Sequence, residues 1–268
     1  MNFERLTPYI RRLKVPFDNI YTGVFLVDAP NTCYLIDCAT TAQDVGERIL
    51  PALEREGVAL SGLTLLLTHW HEDHAGGLPA LASAVPELTV GFFACGSAEE
   101  QALPPHIRRL QLTDGTILDG VLSVMHLPGH TDDAVGYLDV RTGTLLSGDC
   151  VQQYGVSHYG CGLYDPNAYV RTLRKLSEDA RVKELVCSHD FAPLGGVLRG
   201  RENVEHCLRL CLEYDALVRR FLAQRTANGA APDPREFSDA FTSLHPQLLP
   251  GELNLPAHTV ARYLDGNF

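Results

Sequence analysis

The chain has 268 residues, of which 45% are hydrophobic, enough for one large domain with a full core or for one domain with an extension. Acidic residues outnumber basic ones by 33 to 22, and this excess argues against a broad nucleic-acid-binding surface, because such surfaces place lysine and arginine at phosphates. The sequence has no apolar run of membrane-spanning length, no signal-peptide core and no cysteine spacing typical of disulfide frameworks, so we expect a cytoplasmic protein.

The first third of the chain alternates strand patterns with helix patterns. The segment from Thr41 to Asp44 has the composition of a helix capping box, and the apolar residues after it fall on one helical face. Proline and asparagine separate the earlier apolar runs. The elements predicted for this part are strands over residues 10–15, 19–27, 32–37 and 63–68, and helices over 45–53 and 77–84.

Directly after the fourth predicted strand the sequence reads His69-x-His71-x-Asp73-His74. A strand that ends in a loop can direct several side chains at one point, and neutral imidazole and carboxylate are good ligands for zinc, iron or manganese. Packing four such groups together without a metal ion would leave several polar groups in need of partners. The segment therefore predicts a metal site.

Three later residues have the same position, just past the end of a predicted strand. They are His130, Asp149 and His189, which follow the apolar runs 121–127, 143–146 and 184–187. One zinc ion takes about four ligands. The seven candidate ligands are therefore too many for one ion, and they suit two ions that share a bridging carboxylate.

The remainder of the chain is predicted to be mainly helical. One helix begins at Asp165 and Pro166, and a long amphipathic helix follows over residues 202–223. Residues 226–234 have the composition of a linker and precede two short helices. We therefore expect one domain over residues 1–225 and a helical C-terminal extension over 226–268.

Four motifs, in this order, resemble the metallo-β-lactamase fold superfamily over roughly residues 20 to 195. They are Thr68–Gly77, Gly129–Thr131, Ser147–Asp149 and Ser188–His189. The resemblance implies an α/β fold, a four-layer αββα sandwich with the metal ions at one edge between the sheets, here followed by the short helical extension.

The resemblance also implies a role for each ligand. His69, His71 and His130 would hold the first ion, Asp73, His74 and His189 the second, and Asp149 would bridge them. We expect two divalent ions, zinc first, with iron and manganese as alternatives. A hydroxide that bridges the ions would be the nucleophile, and Asp73 would be catalytic by orienting it.

Other residues are candidates for supporting roles. Asp37 resembles the family's strand-end aspartate, which hydrogen-bonds to a metal ligand on the side away from the metal. Thr68, Thr131 and Asp133 are candidates for the same role. A glycine-rich loop past Asp149 carries four candidates for substrate contact, with ordinary surface packing as the alternative. These four are Tyr154, His158, Tyr159 and Tyr164. The remaining histidines, His106, His126, His206, His245 and His258, are expected to be solvated or bonded to the backbone.

The substrate is harder to predict. A bridging Asp149 disfavours a true β-lactamase, and Leu163 replaces the basic residue that follows Gly-Cys-Gly in glyoxalase II. The sequences of these motifs resemble those of the lactamase-β-like group, which includes endoribonucleases and polyketide thioesterases. That group usually ends in a winged-helix-like module, of which residues 226–268 resemble a reduced version.

We therefore expect a dinuclear hydrolase that cleaves a small ester, thioester or lactone. The alternatives are a phosphodiesterase or endoribonuclease of the same fold, and a non-catalytic, metal-loaded regulatory or binding protein. The expected partner is a small-molecule substrate, with neither nucleic acid nor a membrane, and the chain is compatible with a homodimer.

Overall fold

The structure is a computed structural model that describes residues 1–30, 32–96, 98–226 and 231–266. The described chain forms two compact units. The N-terminal unit comprises Met1–His126 and Val135–Thr142, and the C-terminal unit comprises Leu127–Ala134 and the described part of Gly143–Phe268.

A seven-stranded mixed sheet forms the centre of the N-terminal unit, with its strands in sequence order. Neighbours are antiparallel from the first strand to the fourth and parallel from the fourth to the seventh. Its strands are β1 (Glu4–Arg5), β2 (Ile10–Phe17), β3 (Ile20–Asp28), β4 (Cys33–Ile36), β5 (Thr64–Leu66), β6 (Thr89–Phe93) and β7 (Arg108–Leu112). All four predicted strands are confirmed, although β5 is shorter than the predicted 63–68.

Helices follow the strands of this sheet. They are α1 (Ala42–Asp44), which continues through a π-helical turn (Val45–Ile49) into α2 (Leu50–Arg55), then α3 (Glu72–Ala75), α4 (Leu78–Ala84) and α5 (Ala98–Ala102). The predicted capping box is confirmed, because the Asp44 backbone N–H donates to the Thr41 side chain and the Thr41 N–H donates to the Asp44 carboxylate. Helix α5 was not predicted.

The apolar helix faces cover the sheet. Leu53 and Leu81 from the helices and Leu65 from β5 are fully buried in one hydrophobic cluster. Burying such a side chain stabilises the fold by about 1.5–3 kcal/mol. The packing fixes the ends of β4 and β5, from which the candidate site residues project.

An antiparallel meander completes the N-terminal unit. It consists of β8 (Ile117–Leu118), β9 (Leu122–His126) and β10 (Val135–Asp139).

The C-terminal unit contains three strands and four helices. They are β11 (Thr144–Gly148), α6 (Pro166–Glu178), β12 (Glu184–Cys187), β13 (Val197–Leu198), α7 (Arg201–Thr226), α8 (Pro234–Leu244) and α9 (Ala257–Asp265). Strands β11 and β12 are parallel, and β12 and β13 are antiparallel. The predicted start of α6 is confirmed, since the Asp165 carboxylate accepts hydrogen bonds from the Asn167 and Ala168 N–H groups.

The long predicted helix is confirmed by α7, and the two short helices predicted after it are confirmed by α8 and α9. Four residues of the predicted linker, 227–230, and the last two of the predicted extension, 267–268, lie outside the described residues. The predicted division after residue 225 stays a prediction. Within the described residues, no helix combines the length and the apolar character that crossing a membrane requires.

Candidate metal centre

In the N-terminal unit, the segment after β5 brings four candidate ligands together. Strand β5 ends at Leu66, and α3 begins one residue after His71, so that Asp73 and His74 lie in the first turn of this helix. The ring centroid of His69 lies 4.1 Å from that of His74 and 4.6 Å from that of His71. The strand end and the helix start therefore direct three imidazoles to one place.

Asp37 supports this group from the end of β4. Its carboxylate is completely buried and accepts hydrogen bonds from the Thr68 N–H and hydroxyl, both at 2.8 Å. The same carboxylate lies 2.7 Å from His74 Nδ1. A proton held on Nδ1 by Asp37 leaves the Nε2 lone pair of His74 available as a ligand.

Asp73 has a neighbour on β3. The Thr22 hydroxyl donates to Asp73 Oδ2 at 3.2 Å, and His74 Nε2 lies 3.3 Å from the same oxygen. The Asp73 side chain is 15% exposed, whereas that of His74 is completely buried. Asp73 is therefore the member of this pair that water can reach.

In the C-terminal unit, Asp149 lies between two histidines. Its Oδ2 atom is 3.3 Å from His189 Nε2 and 3.8 Å from His130 Nε2. All three side chains are nearly completely buried. One carboxylate oxygen thus faces the ring nitrogens of two imidazoles, as a bridging ligand requires.

The other ring nitrogen of His130 is held by a loop. His130 Nδ1 lies 2.7 Å from the Gly162 carbonyl oxygen and 2.7 Å from the Gln152 side-chain nitrogen. The Gly162 N–H in turn donates to Gln152 Oε1 at 2.7 Å. Donation from Nδ1 to the carbonyl leaves the His130 Nε2 lone pair on the side of Asp149.

Helix α9 fixes this loop from its other side. The buried Thr259 hydroxyl accepts from the Leu163 N–H and donates to the Cys161 carbonyl, both at 3.0 Å. These two bonds flank Gly162, the residue whose carbonyl faces His130. The C-terminal helix therefore takes part in positioning a candidate ligand.

His258 precedes Thr259 on the same helix. A Cβ atom placed on Gly162 would lie 3.5 Å from His258 Nε2. Burial lowers the pKa of His258, and the neighbouring Arg262 guanidinium acts in the same direction. Four residues of this region were not predicted to belong to the site, because their contacts join distant parts of the chain. They are Gln152, Gly162, His258 and Thr259. Of these, Gly162 was noted only as the last glycine of the Gly-Cys-Gly motif.

Two cysteines near the candidate ligands have raised pKa values. Burial raises the pKa of the Cys187 thiol to about 12, and the Asp149 charge acts in the same direction. Burial and the Asp37 charge raise the pKa of Cys38. Neutral thiols are poor ligands, so the histidines and aspartates remain the chemically suitable set.

The four aromatic residues predicted to contact substrate lie in different surroundings. The Tyr154 ring packs 5.1 Å from that of Tyr214, while Nε2 of the exposed His158 lies 3.0 Å from a carboxylate oxygen of Glu252. Tyr159 and Tyr164 are exposed at the surface. The Tyr164 ring centroid lies 6.2 Å from that of His258. Their contact with substrate stays a prediction.

The two supporting residues predicted after His130 are mostly buried. The Thr131 hydroxyl has no hydrogen-bond partner among the described residues, although its backbone carbonyl accepts from the Gly129 N–H. Asp133 is 7% exposed. Their supporting roles stay predictions.

Comparison with protein families gives one match that covers most of the chain. The model of the metallo-beta-lactamase superfamily matches residues 21–189, a range that includes all seven candidate ligands.

Curated relatives resemble the chain at moderate identity. Atrochrysone carboxyl ACP thioesterase AgnL7 of Paecilomyces divaricatus is 29% identical over 58% of this chain and 46% of its own. Beta-lactamase-like protein 2 homolog of Drosophila melanogaster is 30% identical over 58% of this chain and 54% of its own. The chain thus spans about half the length of these relatives.

Solved structures share the fold at low identity. A metallo-beta-lactamase family protein from Thermus thermophilus superposes with a TM-score of 0.65 at 18% identity, covering 97% of this chain and 92% of the other. DIM-1 metallo-beta-lactamase gives a TM-score of 0.62 at 18% identity, over 79% of this chain and 97% of the other. These likenesses confirm the α/β fold class predicted from the motifs.

Proposed function

The chain belongs to the metallo-β-lactamase superfamily, and we propose that it is a dinuclear metal-dependent hydrolase that cleaves a small carboxylic ester, thioester or lactone. The observation that carries the proposal is the position of Asp149, because one of its two carboxylate oxygens, Oδ2, faces both His130 and His189. The curated relatives support the choice of substrate, because one of them is named as an acyl-carrier-protein thioesterase.

The ligand assignment follows the family pattern. Groups of three of the candidate side chains could hold a metal ion. We assign His69, His71 and His130 to one ion, Asp73, His74 and His189 to the other, and Asp149 to both. The donor set suits zinc, since it consists of imidazoles and carboxylates.

When bound, two divalent ions supply activated water and a Lewis acid for the carbonyl oxygen. The chain's own residues provide the rest. Asp37 and the Gly162 carbonyl hold the Nδ1 atoms of His74 and His130, so that both rings present Nε2. Partly exposed Asp73 is positioned to take the proton of the attacking water and return it to the departing alcohol or thiol as the C–O or C–S bond breaks.

The net charge of the chain favours a carboxylic ester, thioester or lactone over a nucleic acid as the substrate. A nuclease holds a polyanion beyond the scissile bond, normally with a basic groove. Here the formal net charge is −11. The loop past Asp149 offers tyrosine, histidine and glycine in place of lysine or arginine, which suits a small and partly apolar substrate.

The test compares substrates on zinc-reconstituted protein. We expect kcat/KM for an aryl ester or an acyl thioester to exceed that for single-stranded RNA and bis-p-nitrophenyl phosphate at the same salt concentration. Asp73→Asn should lose nearly all turnover. The matched control is Asp132→Asn, because Asp132 is an exposed aspartate outside the assigned ligands. It should retain the parental rate.

Efficient RNA cleavage that Asp73→Asn abolishes, with esters left intact, would establish the nuclease instead. Tight zinc binding without turnover of any of these substrates would support a binding or regulatory protein.

A further inference from the structure

The N-terminal unit contains an apolar pocket beside the candidate ligands. Its volume is about 560 Å³, and it is partly open to solvent. Its wall includes Trp70, His71, Ala75, Leu78, Leu103 and Ile107. One wall residue, His71, is also a candidate ligand, so the pocket begins at the place where we expect the chemistry to occur.

The pocket has the size and the composition of a ligand site. Pockets for small molecules measure about 300–1,000 Å³ and are mostly apolar, with a few polar groups at one end. Here Leu78, Leu103 and Ile107 supply the apolar wall, and their side chains are almost completely buried. The lining also includes the polar side chains of His71 and Glu72.

We propose that this pocket binds the apolar acyl group of the substrate, as a medium-length alkyl chain or an aromatic ring. The proposal rests on the proposed function. In a thioester of a carrier protein or cofactor, the thiol portion is polar and the acyl portion is apolar. The acyl portion is therefore the part that gains free energy by leaving water for this pocket.

Substrate length tests the proposal by kinetics. Zinc-reconstituted protein is assayed with p-nitrophenyl esters from acetate to octanoate. We expect kcat/KM to rise about fourfold with each methylene until the pocket is filled, which corresponds to ~0.8 kcal/mol per buried CH₂.

A substitution at the edge of the pocket tests whether the pocket itself causes the preference for long esters. Ala102 lines the pocket at an exposed position at the end of α5, so Ala102→Phe should fill the pocket without disturbing the core. It should remove the preference for long esters, so that kcat/KM no longer rises from acetate to octanoate. The matched control is Ala84→Phe, at an exposed end of α4 away from the pocket wall, and it should keep the preference.

Tryptophan fluorescence supplies a readout that does not depend on turnover. Trp70 is the chain's single tryptophan, it lies in the pocket wall, and its ring centroid is 5.5 Å from that of Phe92. Octanamide, an uncharged and uncleaved probe, should change the emission in a saturable way, and acetamide should not. Ala102→Phe should abolish this response.

The outcomes distinguish the two proposals. Ester hydrolysis with equal rates for short and long chains, and no emission change with octanamide, would overturn the acyl pocket and leave the proposed function standing. Saturable octanamide binding that Ala102→Phe abolishes, without hydrolysis of any ester or thioester, would overturn the proposed function and retain the pocket as a site for apolar chains. The absence of both responses would overturn both.

Discussion

Asp37 joins the end of β4 to the ligand-bearing segment after β5, because its carboxylate bonds to Thr68 twice and lies 2.7 Å from His74 Nδ1. Hydrogen bonds to a carboxylate are stronger than those to a neutral acceptor. The charge of Asp37 also strengthens the His74 ring as a donor to a metal ion. This single buried side chain therefore connects the sheet to the chemistry of the site.

We predict that Asp37→Asn weakens zinc binding by roughly 10- to 100-fold, the range found when a residue behind a metal-bound histidine is removed. Chelator competition measures the change. The matched control is Asp18→Asn, since Asp18 is exposed and, like Asp37, has a positive φ angle, which asparagine tolerates. Unchanged zinc affinity in Asp37→Asn, with a normal fold, would contradict the supporting role.

For single residues, the sequence indicates the candidate ligands more readily than it indicates the side chains that hydrogen-bond to them. His69, His71 and Asp73 could be proposed because they follow an apolar strand at short spacing. The contact of Thr22 with Asp73 could not, since Thr22 lies inside β3 with nothing to mark it. Such hydrogen-bond partners depend on which strands are neighbours in the sheet. The order of strands in a sheet cannot be read from a single sequence.

Helix α9 is the element whose role is most unexpected. Thr259 lies on α9, and its hydroxyl bonds to residues 161 and 163 across nearly 100 residues of sequence. Gly162, between them, bonds to His130. The helix thus helps to position a candidate ligand on a distant loop.

We predict that Thr259→Val lowers zinc affinity several-fold and destabilises the protein by about 1–3 kcal/mol, because a buried N–H and a buried carbonyl lose their partner. Thr259→Ser restores the hydroxyl and should restore both properties. Chelator competition and thermal unfolding measure them.

A matched control for Thr259→Val is Thr226→Val at the end of α7, where the threonine hydroxyl bonds to carbonyls of its own helix. It should leave zinc affinity unchanged. A Thr259→Val protein that unfolds earlier but binds zinc as tightly as the parent would show that α9 stabilises the fold without positioning His130.

Elements with local signals were predictable, and those without were not. Asp165 and Pro166 mark the start of α6, and Thr41 with Asp44 marks the start of α1. Strand β5 is shorter than its apolar run, since the backbone N–H of Thr68 bonds to the Asp37 side chain and not to a neighbouring strand. That bond joins residues far apart in the sequence, so it cannot be predicted from local strand propensity.

At the scale of the whole molecule, the fold identifies the family, and the excess of acidic residues bears on which substrate the protein can bind. The superfamily match covers residues 21–189, but the chain spans about half of its curated relatives, so their substrates do not transfer directly. The net charge of −11 disfavours polyanions by long-range repulsion. The net charge therefore supports the proposed small ester, thioester or lactone substrate, which the shared fold alone does not specify.

The number of zinc ions per chain tests the central claim most directly. Elemental analysis of reconstituted, desalted protein should give two zinc ions per chain, because seven ligands with one shared carboxylate suit two ions. Asp149→Asn should bind no more than one ion, whereas the Asp132→Asn control should retain two. A parental protein that saturates at one zinc ion per chain would contradict the dinuclear centre. An Asp149→Asn variant that binds as many zinc ions as the parent would contradict the bridging role of Asp149.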